Sequence, residues 1–254
     1  MGMSILGTQR GGPTANPAAI WHDLECGGYR ADLPLWHELA QQADGPILDV
    51  GAGTGRVALS LAHDGYEVTA LEREVALLDA LRERAGGLPL QLVQADARSF
   101  ALARTDYALC LVPMQTVQLL GGTEGRLSFL RHAREHLREG GLLACAILGE
   151  LEPFDCSDGG IGPAPERTRR EGRRYVSRAL RVSETREHVT IERERIISSP
   201  AGEDSRERDV VVLDRIDAAT LRHEGETAGF TPLRTREIAA TDEHVSSSVV
   251  MLGA

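Results

Sequence analysis

The sequence contains no lysine: all 28 of its basic side chains are arginine. Chemistry built on a lysine amine is therefore excluded. Positive charge is short as a whole, because 38 acidic residues leave a net charge of −10. That balance argues against an extended nucleic-acid contact, which needs a concentrated basic surface. Cysteine is scarce and scattered. Cys26, Cys110, Cys145 and Cys156 form no C-x-x-C pair, so neither a disulfide framework nor a zinc site is expected, and no other metal site either. Cys110 and Cys145 lie inside apolar runs and read as buried thiols. No apolar run approaches the roughly 20 residues that span a bilayer. The chain also opens without a basic-then-apolar targeting segment. A cytoplasmic protein with no membrane partner is the expectation. No repeat or low-complexity tract occurs. What remains is ordinary globular composition, 42% hydrophobic and 26% charged in 254 residues, enough for one large domain or one domain with an elaboration.

The organising stretch is Ile47-Leu-Asp-Val-Gly-Ala-Gly-Thr-Gly-Arg-Val-Ala-Leu-Ser-Leu-Ala62. A short apolar run carrying Asp49 is followed by Gly51, Gly53 and Gly55, then by a helical apolar face. Strand, glycine turn and helix in that order open a nucleotide-binding βαβ unit. Glycine permits backbone conformations closed to other residues and lets a ligand approach the main chain. The helix start then offers its free N–H groups. The spacing G-x-G-x-G differs from the dinucleotide fingerprint G-x-G-x-x-G, and Arg56-Val57 replaces the Lys-Ser/Thr ending of a phosphate-binding loop.

Asp-Val-Gly-Ala-Gly-Thr-Gly-Arg, residues 49–56, resembles motif I of the class I S-adenosylmethionine-dependent methyltransferases, and the resemblance runs from residue 47 to 148. It implies that Asp49, Gly51, Ala52, Gly53 and Gly55 form the cofactor turn. Glu72 ends the next strand, 23 residues after Asp49, where a carboxylate can accept both ribose hydroxyls. Arg73 follows it, and Glu74 falls in a first helical turn, where the helix dipole alone favours an acid. After the strand at 90–93, the resemblance gives Asp96 the adenine amino group and the Ala97 N–H a ring nitrogen, a donor–acceptor match to that base. Val112 ends the central apolar strand 107–112. The segment Pro113–Leu120 beyond it is where cofactor and substrate would meet. Val112-Pro-Met-Gln115 departs from the Asn/Asp-Pro-Pro-Tyr/Phe of nucleic-acid and protein amino methyltransferases. Met114, Gln115 and Gln118 are the candidates for orienting a substrate, although Gln115 and Gln118 also fit the polar start of a helix. Residues 19–40 read as a two-helix leader interrupted at Gly27-Gly28, of the kind that covers the cofactor in small-molecule methyltransferases. On that likeness Tyr29 would reach the cofactor's methionine end, and His22 is the leader histidine to test as a base or substrate contact. No catalytic residue is assigned.

Residues 123–137 form a helix with Leu127, Leu130 and Leu137 inward and with Arg126, Arg131 and Arg134 on wetter faces. An E-G-G turn and a strand at 142–148 follow. From 152 to 214 the pattern changes to arginine-rich period-2 stretches at 174–182, 188–197 and 208–213, read as three antiparallel strands. Their arginines alternate with acids, which implies a solvated, ion-paired face. Residues 217–228 return to a helix, and 232–238 and 245–252 to strands.

The expected fold is α/β: a seven-stranded, doubly wound, mainly parallel sheet of the Rossmann-like methyltransferase kind with an added antiparallel β insert. The expected domains are 1–151 with 215–254 as the core and its helical leader, and 152–214 as a flap or a homodimer interface. The expected function is methyl transfer from S-adenosylmethionine to an unidentified small molecule, leaving S-adenosylhomocysteine. The alternatives are a non-catalytic cofactor-binding protein, a nucleic-acid or protein methyltransferase, and a nicotinamide-dependent oxidoreductase.

Overall fold

Ile47-Leu-Asp-Val50 is buried along its whole length, as a strand must be when both faces of its sheet are covered. In the computed structural model, which describes residues 16–242 and 244–254, this segment is the centre of the larger of two sheets. Chain order begins with α1 (Pro17–Glu25), α2 (Leu33–Ala43), β1 (Ile47–Val50), α3 (Arg56–His63), β2 (Val68–Glu72), α4 (Val75–Ala85), β3 (Leu90–Gln94) and β4 (Tyr107–Val112). A 3₁₀ turn at Thr116–Leu119, α5 (Gly122–His136) and β5 (Leu137–Leu148) follow. The next strands are β6 (Phe154–Asp155), β7 (Glu166–Arg170), β8 (Arg173–Glu184), β9 (His188–Ser198) and β10 (Asp204–Asp214). Then come α6 (Ala218–Thr227), β11 (Thr231–Pro232), β12 (Arg236–Ile238) and β13 (Ser247–Gly253).

The strand order of the first sheet is β11-β13-β5-β4-β1-β2-β3, with β12 also on β13. β1 through β5 are parallel and β13 runs antiparallel to β5, as the doubly wound expectation requires. The penultimate strand is split into β11 and β12, so the sheet counts eight strands where seven were expected. Pro232 is accommodated because it lies on this edge. Alternation along the strands builds two cores. Ile47, Ala70, Leu109 and Leu111 face Trp36, Leu61 and Leu81 of α2, α3 and α4. Leu48, Val50, Cys110 and Cys145 face Phe129, Leu130 and Leu221 of α5 and α6. Each of these large side chains contributes roughly 1.5–3 kcal/mol on burial. The order reverses between β1 and β4, and the crevice at their carboxyl ends is where such sheets bind ligands.

The second sheet, residues 154–214, has five strands in the order β10-β9-β8-β6, with β7 on β8. The three long strands match the stretches expected from alternation; β6 and β7 were not foreseen. Glu166-Arg-Thr-Arg-Arg170 has no apolar residue to show a period. Its hairpin turns through Glu171 and Gly172, both at positive φ, with Glu where such turns favour Asn or Asp. Cross-strand ion pairs lace this sheet, among them Arg181–Glu192 at 3.3 Å and Arg195–Asp209 at 2.9 Å.

Two joints fasten the sheets together. Glu25 of α1 accepts hydrogen bonds from Ser177 (2.7 Å) and from Arg195 (2.9 and 2.7 Å), and Trp21 meets Tyr175 edge-on at 5.2 Å. At the other joint, Arg126 is buried and not on a wet face. It donates to Asp214 at the end of β10 (2.7 Å) and to Glu224 of α6 (2.8 and 2.7 Å). No helix of the described residues is long and apolar enough to cross a membrane.

Candidate active site

The turn after β1 needs its glycines individually. Gly51, Gly53 and Gly55 have φ of 71°, 58° and 98°, the left-handed region that other residues enter at a cost. Each also faces a different neighbour. A Cβ on Gly51 would come within 2.5 Å of Thr116, one on Gly53 would meet the His22 ring, and one on Gly55 would meet Leu81. The turn is thus closed in by the segment after β4, by the leader and by α4. Gly51 and Ala52 donate to the Leu71 carbonyl (2.8 and 3.1 Å).

Acids stand in or just after three successive strands: Asp49 in β1, Glu72 at the end of β2 and Asp96 after β3. Glu72 is buried and accepts the Gly53 N–H (2.9 Å) and the Glu74 N–H (2.8 Å). From the end of β2 it therefore shapes the turn itself. Asp96, after β3, is gripped by Arg98 through Nε and a terminal nitrogen (2.9 and 2.6 Å). That pairing holds its carboxyl down at about 2. Ala97 is half-buried beside it. Asp49 is different: it is fully buried, neither carboxylate oxygen has a hydrogen-bond partner of normal geometry among the described residues, and although the Arg56 charge and the nearby Ala58 N–H favour its ionised form, burial outweighs them and pushes it up to about 7. An unpartnered buried carboxylate calls for an explanation, and a cationic ligand group would supply one.

A cavity of about 200 Å³ adjoins Asp49, Gly51 and Ala52, walled by His22, Arg56, Met114, Gln115 and Val211 among others. Val211 belongs to β10, so the second sheet forms part of the wall. Val112 is buried at the strand end, and Met114 carries a left-handed φ of 55°. That is uncommon for a non-glycine residue and typical of functional turns.

Three of the expected site residues lie outside this cavity. Gln118 is turned away from the cavity: its amide donates to the Asp214 carbonyl (3.0 Å) and accepts the Leu148 N–H (2.7 Å), so it ties β10 and β5 together. Tyr29 does not line the cavity. It packs in the core with its ring 4.8 Å from His244 and the Arg56 guanidinium 5.3 Å from its centroid. Arg73 is exposed and paired with Glu74 (3.2 Å). Arg56, not among the expected site residues, also lines the cavity, with its guanidinium held by buried Asp32 (2.5 and 2.7 Å) and by the Tyr29 carbonyl (3.1 Å). Its place directly after the third glycine was the available signal.

Residues 47–141 match the family model of a methyltransferase domain. The chain has the class I methyltransferase fold. A sugar N-methyltransferase from Streptoalloteichus sp ATCC 53650 superposes with a TM-score of 0.72 at 17% identity, over 100% of this chain and 99% of that one. An amino pentose methyltransferase from Micromonospora echinaspora, solved with S-adenosylmethionine bound, gives 0.68 at 22% identity over 89% and 92%. Among curated relatives, the cypemycin N-terminal methyltransferase of a Streptomyces sp is 28% identical over 125 residues, 48% of this chain and 51% of that protein. A malonyl-[acyl-carrier protein] O-methyltransferase of Xylella fastidiosa (strain M23) is 32% identical over 108 residues, 41% and 35% respectively. The chain thus spans about half or less of the length of these curated relatives. The methyltransferase cofactor fits the residues present: a main-chain turn that side chains would fill, an unpartnered acid beside it, and further acids after β2 and β3.

Proposed function

We propose that the protein binds S-adenosylmethionine across the carboxyl ends of β1, β2 and β3 and transfers its methyl group to a small molecule. The observation that carries this reading is Asp49, buried without a partner beside a glycine turn, with Glu72 and Asp96 ending the next two strands' segments as one adenosine site requires. Glu72 would receive the ribose hydroxyls, Asp96 and the Ala97 N–H the adenine edge, and Asp49 the cationic end of the methionine moiety. The bound cofactor supplies an activated methyl group on a sulfonium, so the chain's own work is placement. Holding two reactants aligned can contribute roughly 7–11 kcal/mol to lowering a barrier. His22, Met114, Gln115 and Arg56, which wall the cavity, are the groups positioned to orient the acceptor. Because the structural neighbours include an amino pentose methyltransferase and a sugar N-methyltransferase, an amine-bearing sugar is the first class to try. A cytoplasmic location goes with this reading.

Calorimetry with S-adenosylhomocysteine tests the cofactor. Saturable binding to the wild type and at least about tenfold weaker binding to Glu72→Ala are expected, the latter equal to about 1.4 kcal/mol. A wild type that binds NADH and not S-adenosylhomocysteine would overturn the assignment. Labelled methyl transfer to a panel of amino sugars, set beside bulk ribosomal RNA, tests the acceptor class.

A further inference from the structure

His22 is held over the cofactor turn by more than packing. Its Nδ1 lies 3.3 Å from the Thr54 hydroxyl, and Thr54, in the turn itself, is buried. That hydroxyl has one proton to give, and it is committed to Asp23 Oδ1 at 2.7 Å. Asp23 is a carboxylate that can only accept, because Arg84 clamps both its oxygens at 2.9 and 2.6 Å. Burial works against its charge, but the hydrogen bonds from Arg84 and Thr54 outweigh it and hold its carboxyl below the usual value. The Thr54 oxygen is therefore an acceptor toward His22, and the proton between them must sit on Nδ1. A neutral imidazole protonated at Nδ1 carries its lone pair on Nε2. The edge bearing Nε2 lies over Gly53, in the wall of the cavity that Asp49 also lines.

We propose that His22 accepts the proton of the methyl acceptor, with Arg84, Asp23 and Thr54 acting as positioning residues that fix its tautomer and leave Nε2 open. This rests on the methyl-transfer reading above. The acceptor then belongs to the class whose attacking nitrogen or oxygen carries a hydrogen. Its lone pair forms the new bond to the methyl carbon, the carbon–sulfur bond breaks with its electrons passing to sulfur, and the N–H or O–H proton passes to Nε2. The imidazolium afterwards releases that proton to water.

The charges facing His22 are Asp23 and Glu25 from its own helix, Glu72 from the end of β2 and Arg56 from the start of α3, with burial the largest influence. Burial and Arg56 lower its pKa, the three acids raise it, and the net direction is down. The imidazole is therefore neutral at pH 7.5, ready to accept.

The test uses the whole chain with S-adenosylhomocysteine bound and reads the imidazole nitrogens by ¹⁵N-edited NMR at pH 7.5. The expected result is the Nδ1–H tautomer for His22, lost or mixed in Thr54→Val and restored in Thr54→Ser. An Nε2–H tautomer, or an imidazolium, in the wild type would overturn the proposal. On the amino-sugar panel, His22→Gln is expected to bind S-adenosylhomocysteine but to lose kcat by about 10²-fold or more, within the range for general-base catalysis. Its pH profile should also lack the acid limb expected of the wild type. A variant with wild-type kcat and an unchanged acid limb would overturn the role of base. Calorimetry on the same samples separates these outcomes from a failure of the cofactor reading, which would abolish binding in the wild type.

Discussion

At the scale of single residues, the glycine turn trades stability for access. Gly53→Ala asks a side chain to adopt φ 58° and to enter the space of the His22 ring. Gly65→Ala asks only for a positive φ of 90°, with nothing within 4 Å. Both should lose about 1–2 kcal/mol for backbone strain in chemical unfolding. Only Gly53→Ala should also lose S-adenosylhomocysteine affinity, since only there is a neighbour displaced. Asp49 makes a prediction of opposite character. Its folded carboxyl is pushed up to about 7 from 3.8, so between those values the folded state holds the proton that the unfolded state has released. Stability from this group is therefore present at low pH and lost as pH rises toward 7, then level above it. Three units correspond to about 4 kcal/mol as an upper bound. Asp49→Asn should flatten that part of the stability–pH curve of the ligand-free protein and raise its melting temperature at pH 8 relative to the wild type. A wild-type curve that rises through this window and an unshifted variant would contradict it.

At the scale of elements, the Arg126 joint shows what was legible and what was not. The turn after β1 could be read from the chain because its spacing is local: strand, three alternate glycines and helix lie within 16 residues. The partners of Arg126 are 88 and 98 residues away, and no local period shows that an arginine on α5 will be buried by acids from β10 and α6. Gln118 misled for the same reason, its amide being used by backbone groups 30 and 96 residues distant. The β7 strand gave no signal because a strand that is polar on both faces has no alternation to display. Arg126 also carries a stability prediction. Arg126→Leu leaves Asp214 and Glu224 facing one another without a counterion and should cost about 3–5 kcal/mol in denaturant unfolding. Adding Asp214→Asn and Glu224→Gln should restore much of the loss, because the penalty comes from uncompensated buried charge. A triple variant as unstable as the single one would mean that geometry, not charge, holds this joint.

At the scale of the whole molecule, the cofactor turn, the leader and the second sheet form one mechanical series. His22 touches the turn, Glu25 lies three residues further along the same short helix, and Arg195 of β9 holds Glu25 by two hydrogen bonds. The guanidinium of Arg195 also lies 5.6 Å from the centroid of the Trp21 ring, so one side chain secures α1 at two points. β10 meanwhile reaches the cavity through Val211 and is tied to the core by Gln118 and Arg126. A nine-residue helix is too short to be stable alone, so α1 depends on these contacts. Cutting one should loosen the leader while leaving the parallel sheet intact. In amide hydrogen exchange, Arg195→Ala should therefore raise exchange across Pro17–Glu25 and the facing part of β8, with β1 and β4 unchanged. S-adenosylhomocysteine should reverse much of the increase in α1 if the leader closes on the bound cofactor, because a ligand that binds the ordered form stabilises it in proportion to its occupancy. Exchange that rises equally in β1 and β4 would show that Arg195 supports the fold as a whole. Exchange that does not change in α1 would show that the turn alone, without the second sheet, keeps His22 in place.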